Sequence, residues 1–162
     1  MKIIGVIFLV LSRILKMVRR RWRGFYGRCT LKSIGKQCEI ADGVLFFGRE
    51  CITLGSSVIL NEGVILQSCD GAEICVGNRV VFSYGSTVIT GGLSLVNGIN
   101  FEKHISSSII IEDDVWVGAK AIILPGVTIK KGSVIAAGSV VVNSVDEGVL
   151  VSGVPSKFVK YI

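Results

Sequence analysis

The stretch IEDDVW VGAKAI ILPGVT IKKGSV IAAGSV VVNSVD, residues 111–146, reads as six unbroken hexads. An aliphatic residue opens each one (Ile111, Val117, Ile123, Ile129, Ile135, Val141), and a small or β-branched residue stands four later (Val115, Ala121, Val127, Ser133, Ser139, Val145). Neither the helical period of about 3.6 nor the strand period of about 2 accounts for a repeat of six. A chain that turns tightly after each of three short flat strands does. Three hexads then close one triangular coil, every sixth residue points at its axis, and stacked coils bury the aliphatic rows against one another. Small residues suit the corners, where little space remains.

Upstream the pattern recurs as Ile34, Ile40 and Phe46, then Leu54, Leu60 and Leu66, then Val76, Phe82 and Val88, with Cys38, Val44, Val58, Val64, Val80 and Ser86 four later. The triplets are not evenly spaced: Phe46 to Leu54 is 8 residues, Leu66 to Val76 is 10 and Val88 to Ile111 is 23, where an unbroken repeat needs 6. Each surplus follows the third hexad of a coil, so all three are expected to leave the prism at one edge. Five coils result. The largest insertion, at about residues 94–110, is long for a structureless connection in a compact domain, and such loops usually serve a function. It contains His104, the chain's one histidine.

Composition agrees with a solenoid of short strands. Of 162 residues 50% are apolar, only 7% are aromatic and 20 are glycine, a mix that favours short strands over large packed helices. The five cysteines (Cys29, Cys38, Cys51, Cys69, Cys75) form no C-x-x-C pair and have a single histidine for company, so no metal site is expected and they read as reduced thiols filling a core. That usage fits a cytoplasmic location.

The net charge of +6 is concentrated at the start, in Arg13, Lys16, Arg19, Arg20, Arg21, Arg23, Arg28, Lys32 and Lys36. Residues 1–33 therefore form an N-terminal basic amphipathic segment, and 34–162 the β-helix domain. The apolar run Ile3 to Leu11 continues through Ile14, Leu15, Met17 and Val18 between cations, which makes a helix with one sticky face. It falls short of the roughly 20 apolar residues that span a bilayer. Its arginines follow the apolar run instead of preceding it, so export is not expected. Two readings stand: a peripheral contact of residues 1–28 with the inner face of the membrane, apolar residues and Trp22 in the headgroup layer and arginines on anionic lipid, or a helix packed on the domain or on a neighbouring subunit with its cations solvated. No nucleic-acid reader module is present, and no nucleic-acid partner is expected.

The hexads, the approach YGSTVITGG (Tyr84 to Gly92), DDVWVGAKAIILPGVTI, GSVIAAGSVV and the closing SGVPSKFVKYI resemble the hexapeptide-repeat acetyltransferases, all-β left-handed parallel β-helices. Within them the chain is most similar to the sugar O-acetyltransferases of polysaccharide and nodulation-factor synthesis. The likeness is greatest from Ile111 to Ile162, extends from Ile34 to Gly92, and is absent before that. It implies a homotrimer with active sites in clefts between prisms, acetyl-CoA as co-substrate and a sugar as acceptor. It further implies that the Ala119 N–H faces the thioester carbonyl, a kind of contact worth about 3 to 4 kcal/mol to the transition state. The backbone near Ala137 would hold the pantetheine arm, Pro155 and Lys157 would meet the adenine and its phosphates, and Trp116 would line the cleft. Ala119 and Ala137 suit corner packing equally, and Trp116 could simply cap a coil. Where relatives often have Thr-Lys after the last coil, this chain has Val142 and Asn143, which removes one expected phosphate contact.

Transfer to a hydroxyl needs a base, and His104 is the sole histidine available. Relatives commonly place theirs a few residues after the Thr that ends the coil, where this chain has Gly91, Gly92 and Leu93 after Thr90. Either His104 reaches the same cleft from further along the loop, or the base is lost and the protein is a catalytically inactive trimeric scaffold at the membrane. A carbonic-anhydrase-like β-helix is excluded, since it binds zinc through three histidines. Serine acetyltransferases and nucleotide-sugar N-acetyltransferases carry N-terminal domains for which 33 residues leave no room, so O-transfer is preferred.

Overall fold

The structure, a computed structural model, describes residues 30–94 and 100–162, together with residues 11, 12, 14, 15, 17, 18 and 22. These last seven are helical. The cations from Arg13 to Arg28 lie outside the described residues, and with them most of the proposed membrane contact. Among the described residues no helix is long and apolar enough to cross a membrane.

Five coils succeed one another along the chain. The first consists of β1 (Ser33–Ile34), β2 (Glu39–Ile40) and β3 (Leu45–Phe47), and the second of β4 (Ile52–Leu54), β5 (Ile59–Leu60) and β6 (Ile65–Gln67). The third is β7 (Ile74–Val76), β8 (Val81–Phe82) and β9 (Thr87–Ile89). An antiparallel hairpin, β10 (Gly91–Ser94) and β11 (Asn100–Ser106), interrupts the coil before β12 (Ile109–Ile111), β13 (Trp116–Val117) and β14 (Ile122–Ile123). β15 (Thr128–Ile129), β16 (Val134–Ile135) and β17 (Val140–Val141) complete the fifth, and a terminal hairpin, β18 (Val149–Gly153) and β19 (Ser156–Tyr161), closes the chain. The large insertion is thus a two-stranded arm, in keeping with a length too great for a structureless connection.

Strands stack in parallel into three sheets, β1-β4-β7-β12-β15, β2-β5-β8-β13-β16-β18-β19 and β3-β6-β9-β14-β17, with only β19 antiparallel to its neighbour. Register places the hexad openers directly above one another: Ile34, Leu54, Val76, Ile111, Ile129 on the first sheet, Ile40, Leu60, Phe82, Val117, Ile135 on the second, and Phe46, Leu66, Val88, Ile123, Val141 on the third. All fifteen belong to the core, Ile34 and Phe46 at its partly open end and the rest buried. Ser86, Ala121, Ser133 and Ser139 fill the buried corners as expected. Of the described cysteines, all free thiols, only Cys38 is buried; Cys51, Cys69 and Cys75 are partly exposed, so the filler role holds for one of the four.

The three insertions leave from the edge between the third and first sheets. That edge is held by a backbone ladder in which Ser68 donates to Phe47, Thr90 to Gln67, Ser107 to Thr90 and Gly126 to Ser107. The edge between the first and second sheets adds side chains to such a ladder, in which Arg79 donates to Ser56 and Asp114 to Asn78. Ser56 Oγ accepts from the Lys36 N–H, Asn78 Oδ1 from the Ser56 N–H, and Asp113 Oδ1 from the Asn78 N–H at 2.7 Å. Arg79 joins Asp114 through two guanidinium contacts.

The hydrogen bonds from Asn78, backbone first and then side chain, hold the Asp113 carboxyl below its ordinary value, and Arg79 does the same for Asp114. A carboxyl depressed in the folded state stabilises above its unfolded pKa, about 3.9, and that stabilisation is lost as pH falls through the lower folded value. The melting temperature of Asp113→Asn should therefore lie below that of the wild type at pH 7 and approach it as the pH falls below about 4, measured by circular dichroism; a gap constant with pH would contradict the assignment.

Candidate active site

The edge between the second and third sheets is chemically unlike the other two. Register aligns Asp42, Glu62, Tyr84, Ala119 and Ala137 along it, one per coil, followed by Gly153 of the terminal hairpin, each two residues beyond an inward-pointing side chain of the second sheet. At the equivalent place on the preceding edge, side chains take the outward N–H groups. Here, among the described residues, the N–H groups of Tyr84, Ala119 and Ala137 meet no acceptor. An unpaired backbone donor is tolerated at a surface, where water or a ligand satisfies it.

Bare corners make that donor row accessible. Gly118 lies so close to the next coil that a Cβ on it would stand 2.6 Å from the Ala137 nitrogen and from the Ile135 carbonyl oxygen. Its own N–H donates to Ile135, and the Gly138 N–H donates to the Ala119 carbonyl at 2.8 Å, so two consecutive coils are locked at this point. With only methyl groups at 119 and 137, the side chains of these corners do not cover the row, and Ala137 is exposed.

Trp116 stands three residues before Ala119 on the outer face of the second sheet, 53% exposed, between Val81 and Val134. Its Nε1–H donates to Ser83 Oγ at 2.9 Å, which pins the indole across two coils and keeps it uncovered. At the far end of the edge the Gly153 N–H donates to Ser139 Oγ, and the chain reverses through Pro155, with Lys157 paired opposite Ser152. Trp116, Ala119, Ala137, Pro155 and Lys157 are thus brought to one edge and its flank.

His104 is not among them. It is exposed on β11, directly opposite Leu93 of β10, on the arm that leaves from the next edge round. Facing residues of an antiparallel pair project to the same side. The imidazole accordingly stands beside the position where the resemblance expects a histidine, but on the other strand of the hairpin.

Sequence reading missed three residues of this edge: Ser83, Tyr84 and Lys120. The Lys120 N–H donates to the Tyr84 carbonyl at 2.9 Å, and Tyr84 is 55% exposed. The signal that could have found them is the offset of 35 residues between coils three and four, which comes from pairing Phe82 with Val117.

Gly118→Val should be the most damaging single change on this edge. Its Cβ has no room against the backbone of coil five, so a loss of about 2 kcal/mol or more is expected, as for other overpacked sites. Thermal unfolding measures it, and a melting temperature indistinguishable from wild type would refute the close approach.

Known proteins match this architecture. Residues 108–143 match the family model described as bacterial transferase hexapeptide (six repeats). A 2,3,4,5-tetrahydropyridine-2,6-dicarboxylate N-acetyltransferase of Clostridium perfringens is 51% identical over 72 residues, which is 44% of this chain and 30% of that protein. The chain thus spans under a third of this curated relative's length. A hexapeptide-repeat-containing acetyltransferase of Vibrio cholerae superposes with a TM-score of 0.79 at 28% identity, covering 88% of this chain and 80% of that one, and a complex of the Vibrio cholerae protein with acetyl coenzyme A gives 0.76 at 29% identity over 83% and 73%. A maltose O-acetyltransferase of Clostridium difficile gives 0.75 at 28% identity, over 84% of this chain and 72% of that one. By its repeat and its coil geometry the chain is a hexapeptide-repeat β-helix, the fold it shares with these acetyltransferases.

Proposed function

We propose that this protein moves an acetyl group from acetyl-CoA to a hydroxyl of a sugar, in surface polysaccharide or lipid-linked glycan synthesis, and does so as a homotrimer. The observation that carries the reading is the donor row at Ala119 and Ala137, uncovered and in line with the terminal hairpin that bears Pro155 and Lys157. A pantetheine arm is long, thin and rich in amides, and an edge of bare corners with outward N–H groups matches it. Lys157 would meet phosphate, the Ala137 N–H a pantetheine carbonyl, and the Ala119 N–H the thioester oxygen.

Each step of the chemistry has a group to perform it. A neutral imidazole of His104 takes the proton of the acceptor hydroxyl as its oxygen bonds to the thioester carbon. The carbonyl electron pair moves onto oxygen, where the Ala119 N–H stabilises it. Collapse re-forms the carbonyl, breaks the carbon–sulfur bond and expels the CoA thiolate, which recovers the proton from the imidazolium. His104 and Ala119 lie on parts of the fold that leave from different edges, so a neighbouring subunit's hairpin laid over this edge supplies the base; this supports the trimer. The basic residues 1–28 would hold the enzyme at the inner face of the membrane.

Calorimetry with acetyl-CoA tests the reading. Binding should be detectable for the wild type and weaker by about tenfold in Lys157→Glu, since a phosphate contact is replaced by a repulsion. His104→Ala should retain binding and lose acetyl transfer by about 100-fold or more, the usual range for a general base. A folded protein that does not bind acetyl-CoA leaves the inactive scaffold. For the membrane, co-sedimentation with vesicles containing anionic phosphatidylglycerol, but not with pure phosphatidylcholine, is expected and should vanish when residues 1–28 are removed.

A further inference from the structure

On the proposed acetyl-CoA edge the left-handed corner residue is glycine in every full coil but one: Gly43, Gly63, Gly85 and Gly138, against Lys120 with φ of 58°. The corners of the preceding edge carry side chains in the same conformation, at Gln37, Ser57, Arg79 and Asp114, so it is the position of Lys120 on this edge that sets it apart. Lys120 follows Ala119 directly. Its side chain runs towards the third coil and lies over Gly85, where a Cβ would come within 2.8 Å of the Lys120 Nζ and 3.1 Å of Cδ and Cε. The missing Cβ of Gly85 is therefore what admits the lysine. Among the described residues no carboxylate forms an ion pair with it.

Direction along the edge gives this cation its meaning. If acetyl-CoA runs from the terminal hairpin past Ala137, its acyl group ends at Ala119. The space next along, at Tyr84 and Gly85, belongs to the acceptor. Lys120 projects into that space and not towards the phosphates, which lie in the opposite direction.

We propose that Lys120 selects the nucleophile, favouring a hydroxyl over an amine. The inference rests on the acetyl-transfer reading above. Attack by a hydroxyl whose proton is being removed develops negative charge on the acceptor oxygen and the carbonyl oxygen, and a neighbouring ammonium lowers the energy of both. An alkyl amine arrives protonated at neutral pH, and even once neutral it acquires positive charge on nitrogen as it attacks. The same ammonium opposes both steps.

Lys120→Gly is the decisive variant, since glycine is what the other coils carry at this corner and the fold has no reason to fail. Lys120→Arg keeps the charge. The full chain is given acetyl-CoA with galactose or galactosamine, and products are sorted into ester and amide by their lability to hydroxylamine. The wild type should form mainly ester. Lys120→Gly should lose about tenfold or more in kcat/KM for the ester, with its ester-to-amide ratio falling and its acetyl-CoA Kd within about twofold of wild type, while Lys120→Arg stays near wild type. Amide as the main wild-type product, an unchanged ratio in Lys120→Gly, or transfer to neither sugar by a protein that binds acetyl-CoA would overturn the role of Lys120 alone. Failure to bind acetyl-CoA overturns both proposals, and calorimetry on the same samples tells the two failures apart.

Discussion

Everything in this molecule depends on the parallel ladder between coils. Each strand of two or three residues has too few hydrogen bonds to exist alone, and it is held only because the strands above and below take its N–H and C=O groups. A coil must therefore keep the outline of its neighbours, and every residue added to one has to be expelled from the stack. That is why the extra residues between Phe46 and Leu54, Leu66 and Val76, and Val88 and Ile111 leave by a single edge, and why the ladder from Ser68 through Thr90 and Ser107 to Gly126 runs on beneath them. The interior tolerates no such freedom.

A regular scaffold acquires different chemistry on each of its three edges. One is closed by side chains that accept from backbone N–H groups, through Ser56, Asn78 and Asp113. One carries the projecting arm. The third is left bare at Ala119 and Ala137, with an aromatic flank fixed by the bond from Trp116 to Ser83. The strands are almost interchangeable, so chemical individuality resides in the corners.

The inward rows were legible in the sequence because burial enforces them: each of the fifteen openers must be apolar, and one position in six is a strong signal. Ile34 and Phe46 are less covered than the rest because, among the described residues, the first coil has a neighbouring coil on one side only. The arm was legible as an insertion but not as a hairpin. Gly91 and Gly92 are poor strand formers, and the pairing of Leu93 with His104 depends on an irregularity at Leu93 and Ser94 that no periodicity reveals. Lys120 over Gly85 was hidden for another reason. Their juxtaposition depends on knowing that the coil resumes in register after the arm, and a free backbone N–H at Ala119 has no side-chain signature at all.

The terminal hairpin has a consequence for how long the solenoid can become. A stack of parallel strands presents unpaired edges at its last coil, on which a second chain could continue the pattern and begin a fibre. On the second sheet β19 turns back antiparallel on β18, with a shift of register between Leu150 and Val151, and places Lys157 and Lys160 on the outermost strand. Direction, register and charge there all differ from what an incoming first coil would need. The hairpin is thus a stop for the second sheet, which another copy of the repeat cannot extend in register from that side.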